Sequence, residues 1–117
     1  MKYDVTITNI GSLAPNFLEN SSSIILLDEG VRPNLTEMVV EHTAGDLTDD
    51  IKAGDTLTMG AKRKFKIVSV GEAVNENLRK DGHCTIVINV EGSMPGQLIV
   101  KGSLPPRLNL GDKITIE

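Results

Sequence analysis

The sequence has few of the residues that mark several large classes of protein. Its 117 residues include one cysteine, no tryptophan, one tyrosine and two phenylalanines. A lone cysteine cannot close a disulfide within the chain, which predicts a reducing, cytoplasmic setting. Because aromatic side chains are so scarce, the core must be built mostly from Val, Ile and Leu.

The sequence also lacks an excess of positive charge and any long apolar run. Twelve Lys and Arg residues stand against sixteen Asp and Glu residues, which gives a net charge of −4 and a pI near 5.1. Nucleic-acid-binding proteins usually carry a basic stripe with stacking aromatics, so we expect no nucleic-acid partner. The apolar run 24–27 is far below the roughly 20 residues that span a bilayer. The first residues alternate polar and apolar, where a signal peptide needs a continuous apolar stretch. We therefore expect no direct membrane insertion.

Alternation of polar and apolar residues is the repeated pattern, and it is typical of half-buried strands. It is clearest in 2–10 and in 83–90, where Cys84, Ile86, Ile88 and Val90 share one face. Helical turns are predicted within 11–22 and 72–78, the second ended by Asp81-Gly82, and Asn34 with Glu37 has the spacing of a capping box. Further strands are predicted at 24–27, 38–42, 56–59, 64–70, 97–101 and 113–117, the last two separated by a Pro-rich turn at 104–106. This length and pattern predict a single domain, 1–117, that is mainly β. The expected fold is a small closed or partly open antiparallel β-barrel with one or two short helices.

One pattern occurs twice. Residues 51–58 match residues 108–115, and each copy places Gly-Asp immediately before a predicted strand. Gly can adopt a positive φ and Asp can bond to the turn backbone, so the pattern indicates one barrel corner used twice. Two copies of a binding loop are the less favoured interpretation.

Most common catalytic arrangements are absent. The sequence has neither a Gly-rich phosphate loop nor a dinucleotide-binding motif. His83 and Cys84 are adjacent in a predicted strand, so their side chains point to opposite faces and cannot share a metal ion. Cys84 belongs to an apolar face, where thiols are usually inert. The sequence therefore predicts no cofactor and no metal site.

His42 is the remaining candidate for chemistry. It ends a predicted strand and precedes Thr43, Ala44 and Gly45, small residues that would leave the imidazole open to a large partner. The acidic segment, which we define as residues 28–50, holds seven acids and one base, Arg32. Such a field would steer a basic partner protein towards His42. The plainer alternatives are a solvated acidic face and a structural histidine, and the basic cluster 62–66 is interpreted as a solvated hairpin tip.

An ordered set of short motifs carries a resemblance to a known family. The set comprises 7–11, Glu29-Gly30, Leu35, 41–47 around His42, Gly71, 77–79, Gly82-His83, Pro95-Gly96 and the final Gly-Asp pair. With these spacings, the chain resembles the glucitol/sorbitol-specific IIA component of the bacterial phosphoenolpyruvate-dependent sugar phosphotransferase system. The similarity runs over nearly the whole chain.

The resemblance implies a function and a site. Such a component accepts a phosphoryl group on its own histidine from the histidine phosphocarrier protein. It passes the group to a IIB domain, whose linked membrane IIC portion phosphorylates the entering glucitol or sorbitol. The phosphorylated histidine of the family falls on His42, and His83 is given a structural role. Some relatives carry another histidine two positions later, where this chain has Ala44, and we take that histidine to be dispensable.

The residues around His42 fit this chemistry, because a neutral imidazole nitrogen is a good nucleophile near neutral pH. Phosphoryl transfer requires mainly in-line positioning and charge stabilisation. We expect the backbone amides of Thr43, Ala44 and Gly45, with the Thr43 hydroxyl, to stabilise the phosphoryl group. The acidic residues are expected to surround the docking surface at a distance. Two alternatives remain at this point: a non-catalytic small β-barrel interaction module, and a small-ligand protein that lacks the usual aromatic surface for a sugar.

Overall fold

The computed structural model describes residues 1–60, 63–91, 94–102 and 108–117. Eight strands form one closed barrel in the order β1-β3-β2-β6-β7-β5-β4-β8, and two short helices flank it. In chain order the elements are β1 (Tyr3–Ile10), α1 (Ala14–Ser21), β2 (Ser23–Asp28), β3 (Val40–His42), β4 (Thr56–Met59), β5 (Arg63–Val70), α2 (Val74–Asp81), β6 (Cys84–Ile88), β7 (Gln97–Lys101) and β8 (Lys113–Ile116). The predicted mainly β barrel with short helices is confirmed.

The barrel is not purely antiparallel. β2 pairs with β3 in parallel, and β6 pairs with β7 in parallel, whereas the other neighbours are antiparallel. A parallel pair needs a connection that returns the chain along the strands, and segment 29–39 provides it between β2 and β3. Sequence alternation does not distinguish the two directions, which explains the difference from the expected antiparallel barrel.

The interior is lined by alternate residues of the strands, as the period of two predicts. Tyr3, Val5 and Ile7 of β1 are buried, and Phe65 and Ile67 of β5 line the same core. In β6 the predicted inner face is confirmed for its three members within the strand, each at most 3% exposed: Cys84, Ile86 and Ile88. The fourth predicted member, Val90, lies beyond the strand and is 45% exposed. The aliphatic core expected from the composition therefore fills the barrel.

The two halves of the chain repeat one plan. The first half runs β1-α1-β2-β3-β4 and the second runs β5-α2-β6-β7-β8, with matching strand pairs in each half. β1 and β5 even share an irregularity, because the pairing register shifts between Ile7 and Asn9 in one strand and between Ile67 and Ser69 in the other. Corresponding strands run in opposite directions, so corresponding positions lie at opposite ends of the barrel.

The repeated Gly-Asp pattern is the same corner in both halves. Gly54 and Gly111 adopt positive φ values of 101° and 87°. Each following aspartate accepts a hydrogen bond from the backbone amide three residues before it, at 2.8 Å for Asp55 and 3.0 Å for Asp112. Both aspartates therefore fix the turn backbone, and the interpretation as a barrel corner is confirmed.

Some local predictions differ from the structure. Asn34 lies inside a single 3₁₀ turn (Pro33–Leu35) with no side-chain cap, so the capping-box prediction is wrong. Helix α2 begins at Val74 rather than at residue 72, and it ends at Asp81 as predicted, because the left-handed φ of 67° at Gly82 terminates it. The predicted Pro-rich turn at 104–106 and part of the hairpin tip, 61–62, lie outside the described residues.

Candidate functional site

His42 is fully buried at one end of the barrel, with 0% of its surface exposed. It is the last residue of β3, beside Ile7 of β1 and Asp28 of β2. Val40, two residues earlier, belongs to the core, so strand alternation turns the His42 ring into the barrel as well. The expectation of an imidazole open to a large partner is therefore wrong for this conformation.

Both ring nitrogens of His42 face backbone carbonyl oxygens. Nδ1 lies 2.8 Å from the oxygen of Thr43, and Nε2 lies 3.1 Å from the oxygen of Gly82. A doubly protonated ring donates to both oxygens, whereas a neutral ring donates to one of them. The neutral ring that makes the shorter of these contacts as a donor carries its proton on Nδ1 and its lone pair on Nε2. The ring is thus held in position by main chain alone.

Asp28 stands next to the ring, with Oδ1 3.6 Å from His42 Nδ1. This oxygen is buried and has no hydrogen-bond partner among the described residues. Burial raises the pKa of the Asp28 carboxyl; His42 opposes that rise, and Asp81 and Glu29 add to it. The expectation that the acids keep their distance from His42 is therefore wrong for Asp28.

Gly82 covers the His42 ring, and any side chain at this position would clash with Asp28 and with the ring. It follows the last residue of α2, and an added Cβ would overlap Asp28 Oδ1 and lie 2.7 Å from His42 Cε1. The missing side chain therefore allows the end of α2 to reach the ring. Sequence reasoning did not identify Gly82 as a site residue, although the Asp81-Gly82 turn and the Gly82-His83 motif were both visible.

The inner side of the ring packs against Tyr3. The two rings meet edge to face, with centroids 6.1 Å apart and planes at 88°. Burial, reinforced by Asp28 and Cys84, raises the pKa of the Tyr3 phenol well above its usual value. Burial also raises the pKa of the Cys84 thiol to about 12, which agrees with the expected inert cysteine. Both groups are neutral near pH 7.

Thr43 attaches this end of β3 to β1. Its backbone amide donates to the oxygen of Thr6 at 2.9 Å, and its Oγ1 accepts from the Thr6 amide at 3.0 Å. The predicted role of the Thr43 amide in stabilising a phosphoryl group is therefore wrong here, because that amide is already bonded. The Thr43 carbonyl orients the imidazole instead.

The acidic segment divides into structural and exposed residues. Glu41 is 6% exposed and accepts hydrogen bonds from Asn9 Nδ2 at 3.0 Å and from the Gly30 amide at 2.9 Å. Asp50 forms an ion pair with Arg79 at 2.7 Å. The exposed acids of the segment are Glu29, Glu37, Asp46, Asp49 and Asp50.

His83 does not join His42. Its side chain is half-buried and lines a small cavity of about 80 Å³ on the outer side of β2, together with Leu27, Arg32 and other residues. Cys84, the next residue, is buried in the core, so the two side chains lie on opposite faces as predicted. Within the described ranges, no group of three or more His, Cys, Asp or Glu side chains is placed to hold a metal ion. No helix among the described elements is long and apolar enough to cross a membrane.

The repeated plan of the barrel provides an internal comparison for the site. By strand register, the position that corresponds to His42 is Val100, and the position that corresponds to Asp28 is Ile88. Both counterparts are buried and apolar. Within the described part of the chain, the fold therefore places apolar residues at both positions that correspond to the His42–Asp28 pair, so the strand pairing itself does not require ionisable groups there.

Comparison with known proteins gives the family of the chain. The family model described as "PTS system glucitol/sorbitol-specific IIA component" matches residues 2–115. Proteins of that description from Shigella flexneri and Escherichia coli (strain K12) are each 30% identical to the chain over 117 residues, covering 98% of it and 94% of their own length. A crystal structure of a PTS system IIA component from Enterococcus faecalis V583 superposes with a TM-score of 0.82 at 21% identity, over 96% of this chain and 97% of that one. The chain belongs to the glucitol/sorbitol-specific IIA component family of the sugar phosphotransferase system.

Proposed function

We propose that this protein is a phosphoryl carrier that works in the cytoplasm and uses His42 as the acceptor. It receives the group from the histidine phosphocarrier protein and passes it to a IIB domain linked to the membrane IIC portion for glucitol or sorbitol uptake. The observation that supports the proposal best is the pair of buried His42 and half-buried Asp28 at one barrel end, since the corresponding positions of the other half hold Val100 and Ile88. Family membership supports the carrier role itself.

The geometry favours Nε2 as the attacking atom. Nδ1 keeps its proton and donates it in a hydrogen bond to the Thr43 oxygen, so the Nε2 lone pair forms the N–P bond. The donor nitrogen retains the electron pair of the N–P bond that breaks, and no proton changes place. Positive charge develops on the ring during attack, and the carboxylate of Asp28, 3.6 Å from Nδ1, offsets it.

Transfer requires that the Gly82 carbonyl leave Nε2. The covering turn is the C-terminal end of α2, an eight-residue helix whose last turn is held by hydrogen bonds such as Gly82 amide to Leu78 oxygen at 3.2 Å. Helix ends open locally at a much lower free energy than whole domains do. We therefore assign access to His42 to an outward movement of the Asp81-Gly82 turn when a partner docks.

Labelling tests the function directly. Incubation with phosphoenolpyruvate and the general phosphotransferase proteins is expected to add one phosphoryl group per chain, measured by intact mass and radiolabel. A phosphoramidate bond is labile in acid and stable in base, so the label should be lost at low pH and kept at high pH. A chain that stays unlabelled under these conditions would favour the non-catalytic interaction module.

The exposed acids predict how the donor docks. The rate of association with the basic phosphocarrier protein should fall as salt rises, because ions screen exposed charges beyond about 8 Å at physiological ionic strength. Asp46→Asn combined with Asp49→Asn should slow association by up to about tenfold at low salt and by little at high salt. Glu19→Gln, an exposed acid on α1 outside the acidic segment, is the matched control. Equal salt dependence in all three proteins would rule out steering by these residues.

A further inference from the structure

Arg32 is linked to the His42 site through an ion pair with Asp81. It is the one base of the acidic segment, and its Nη2 lies 3.3 Å from Oδ2 of Asp81, the residue before Gly82. Among the Arg and Lys ion pairs of the described residues, this is the pair whose carboxylate belongs to a residue adjacent to Gly82. The Arg32 side chain is 53% exposed, so it is free to change partner.

Asp81 is in an electrostatically unfavourable position. It is the last residue of α2, where the backbone carbonyls give the helix end a partial negative charge. Its side chain is 12% exposed, and its charge also acts on Asp28 beside the ring. In the resting state, Arg32 offsets this concentration of negative charge.

A phosphoryl group on Nε2 would worsen the imbalance. It brings a charge of about −2 next to the Gly82 carbonyl and Asp28, whose carboxyl already lies within the field of Asp81. Phosphoryl transfer depends on cations that stabilise the charge of the transferred group, and the planar guanidinium matches phosphoryl oxygens with two parallel hydrogen bonds. The site therefore needs a cation that can reach Nε2 after the turn opens.

We propose that Arg32 is this cation: when the Asp81-Gly82 turn moves outward, Arg32 leaves Asp81 and binds the phosphoryl oxygens at His42 Nε2. The inference rests on the proposed carrier function and adds a phosphoryl-binding residue to it. The same movement removes the Gly82 carbonyl from Nε2 and breaks the Arg32–Asp81 pair. Uncovering the nucleophile and supplying the positive charge thus become one event.

The test compares Arg32→Gln, Arg32→Lys and Asp81→Asn with the wild type, and Arg79→Gln is the matched control. Arg79 forms an ion pair with Asp50, an exposed acid of the acidic segment. Because Arg79→Gln and Arg32→Gln each remove one positive charge, the two variants change the net charge equally. The measurement is the first-order transfer rate at saturating phosphocarrier protein, followed by rapid quench. A parallel series uses phosphoramidate as a small phosphoryl donor that needs no protein docking.

The proposal predicts effects of opposite sign. Arg32→Gln should slow transfer at least tenfold with either donor, Arg32→Lys should recover part of the rate, and Arg79→Gln should not slow transfer. Asp81→Asn should transfer at least as fast as the wild type, because it releases Arg32. A purely structural ion pair would instead make Arg32→Gln and Asp81→Asn equally slow. A role of Arg32 in steering alone would leave the transfer rate of Arg32→Gln unchanged, because the rate at saturating donor does not include association.

The outcomes separate this inference from the carrier function. If the wild type is labelled and Arg32→Gln transfers at the same rate, the carrier function stands and the role of Arg32 is overturned. Equal losses in Arg32→Gln and Asp81→Asn would also overturn it. If the wild type takes no phosphoryl group from either donor, the carrier function is wrong and the role of Arg32 falls with it.

Discussion

Replacing His42 with glutamine is expected to abolish phosphoryl labelling completely. Glutamine has no nucleophilic ring nitrogen, so neither the phosphocarrier protein nor a small phosphoryl donor should label the variant. The matched control is His83→Gln, because His83 lies on the outer side of β2 and does not contact the His42 ring. That variant should be labelled as the wild type is, as measured by acid-labile radiolabel per chain. Label on His42→Gln together with none on His83→Gln would show that the acceptor has been assigned to the wrong histidine.

The same substitution should also lower the free energy of unfolding. An exposed histidine would tolerate glutamine with a change below about 0.5 kcal/mol, but His42 is fully buried between two carbonyl oxygens. Glutamine cannot occupy both ring-nitrogen positions, and leaving the Thr43 oxygen, the closer of the two acceptors, without its donor costs about 1–3 kcal/mol. Urea denaturation measures the loss, and the labelling comparison should be made well below the variant's midpoint. A loss below about 0.5 kcal/mol would indicate that the ring is exposed in solution.

Gly82→Ala is the second substitution with a large expected effect. Alanine at a left-handed φ of 67° is strained by about 1–2 kcal/mol. Its Cβ would also overlap Asp28 Oδ1 and press on the His42 ring, so either α2 or the ring must shift. Together these effects should lower the free energy of unfolding by roughly 3 kcal/mol or more, as expected for overpacking added to backbone strain. Chemical denaturation monitored by circular dichroism gives the value.

Gly30→Ala is the matched control for the backbone term. Gly30 has a φ of 73°, close to that of Gly82, but nothing lies within 4 Å of an added Cβ. The difference between the two alanine variants therefore isolates the contact of Gly82 with His42 and Asp28. Equal losses of stability would contradict the close approach of α2 to the ring.

The sequence predicted the strands well because period-two alternation is a local property. In β1 and β6, apolar residues stand at every second position, and these side chains line the core as expected. The corner aspartates were also predictable, because Asp55 and Asp112 bond to amides only three residues away. The end of helix α2 was predictable from the Asp81-Gly82 turn, but its start at Val74 was not, because Ala73 before it offers no capping side chain.

The burial of His42 was not predictable in the same way. Residues 38–40 are all apolar, so alternation around β3 does not say which face of the strand points inward. Pairing with Ile7 and with Asp28 settles the direction, and both contacts are distant in sequence. The cover by Gly82 depends on a residue forty positions away. Only the tertiary structure brings these groups together.

The two ends of the barrel share one strand plan but differ in the residues that they bury. The halves interlock through the β2–β6, β4–β5, β4–β8 and β1–β8 pairs, so neither half has a complete set of strand partners without the other. The apolar end around Val100 and Ile88 can serve purely as an anchor for the shared strands. The proposed phosphoryl transfer at the other end would then use a frame that is stabilised elsewhere, so that the proposed opening of the Asp81-Gly82 turn would leave the barrel intact.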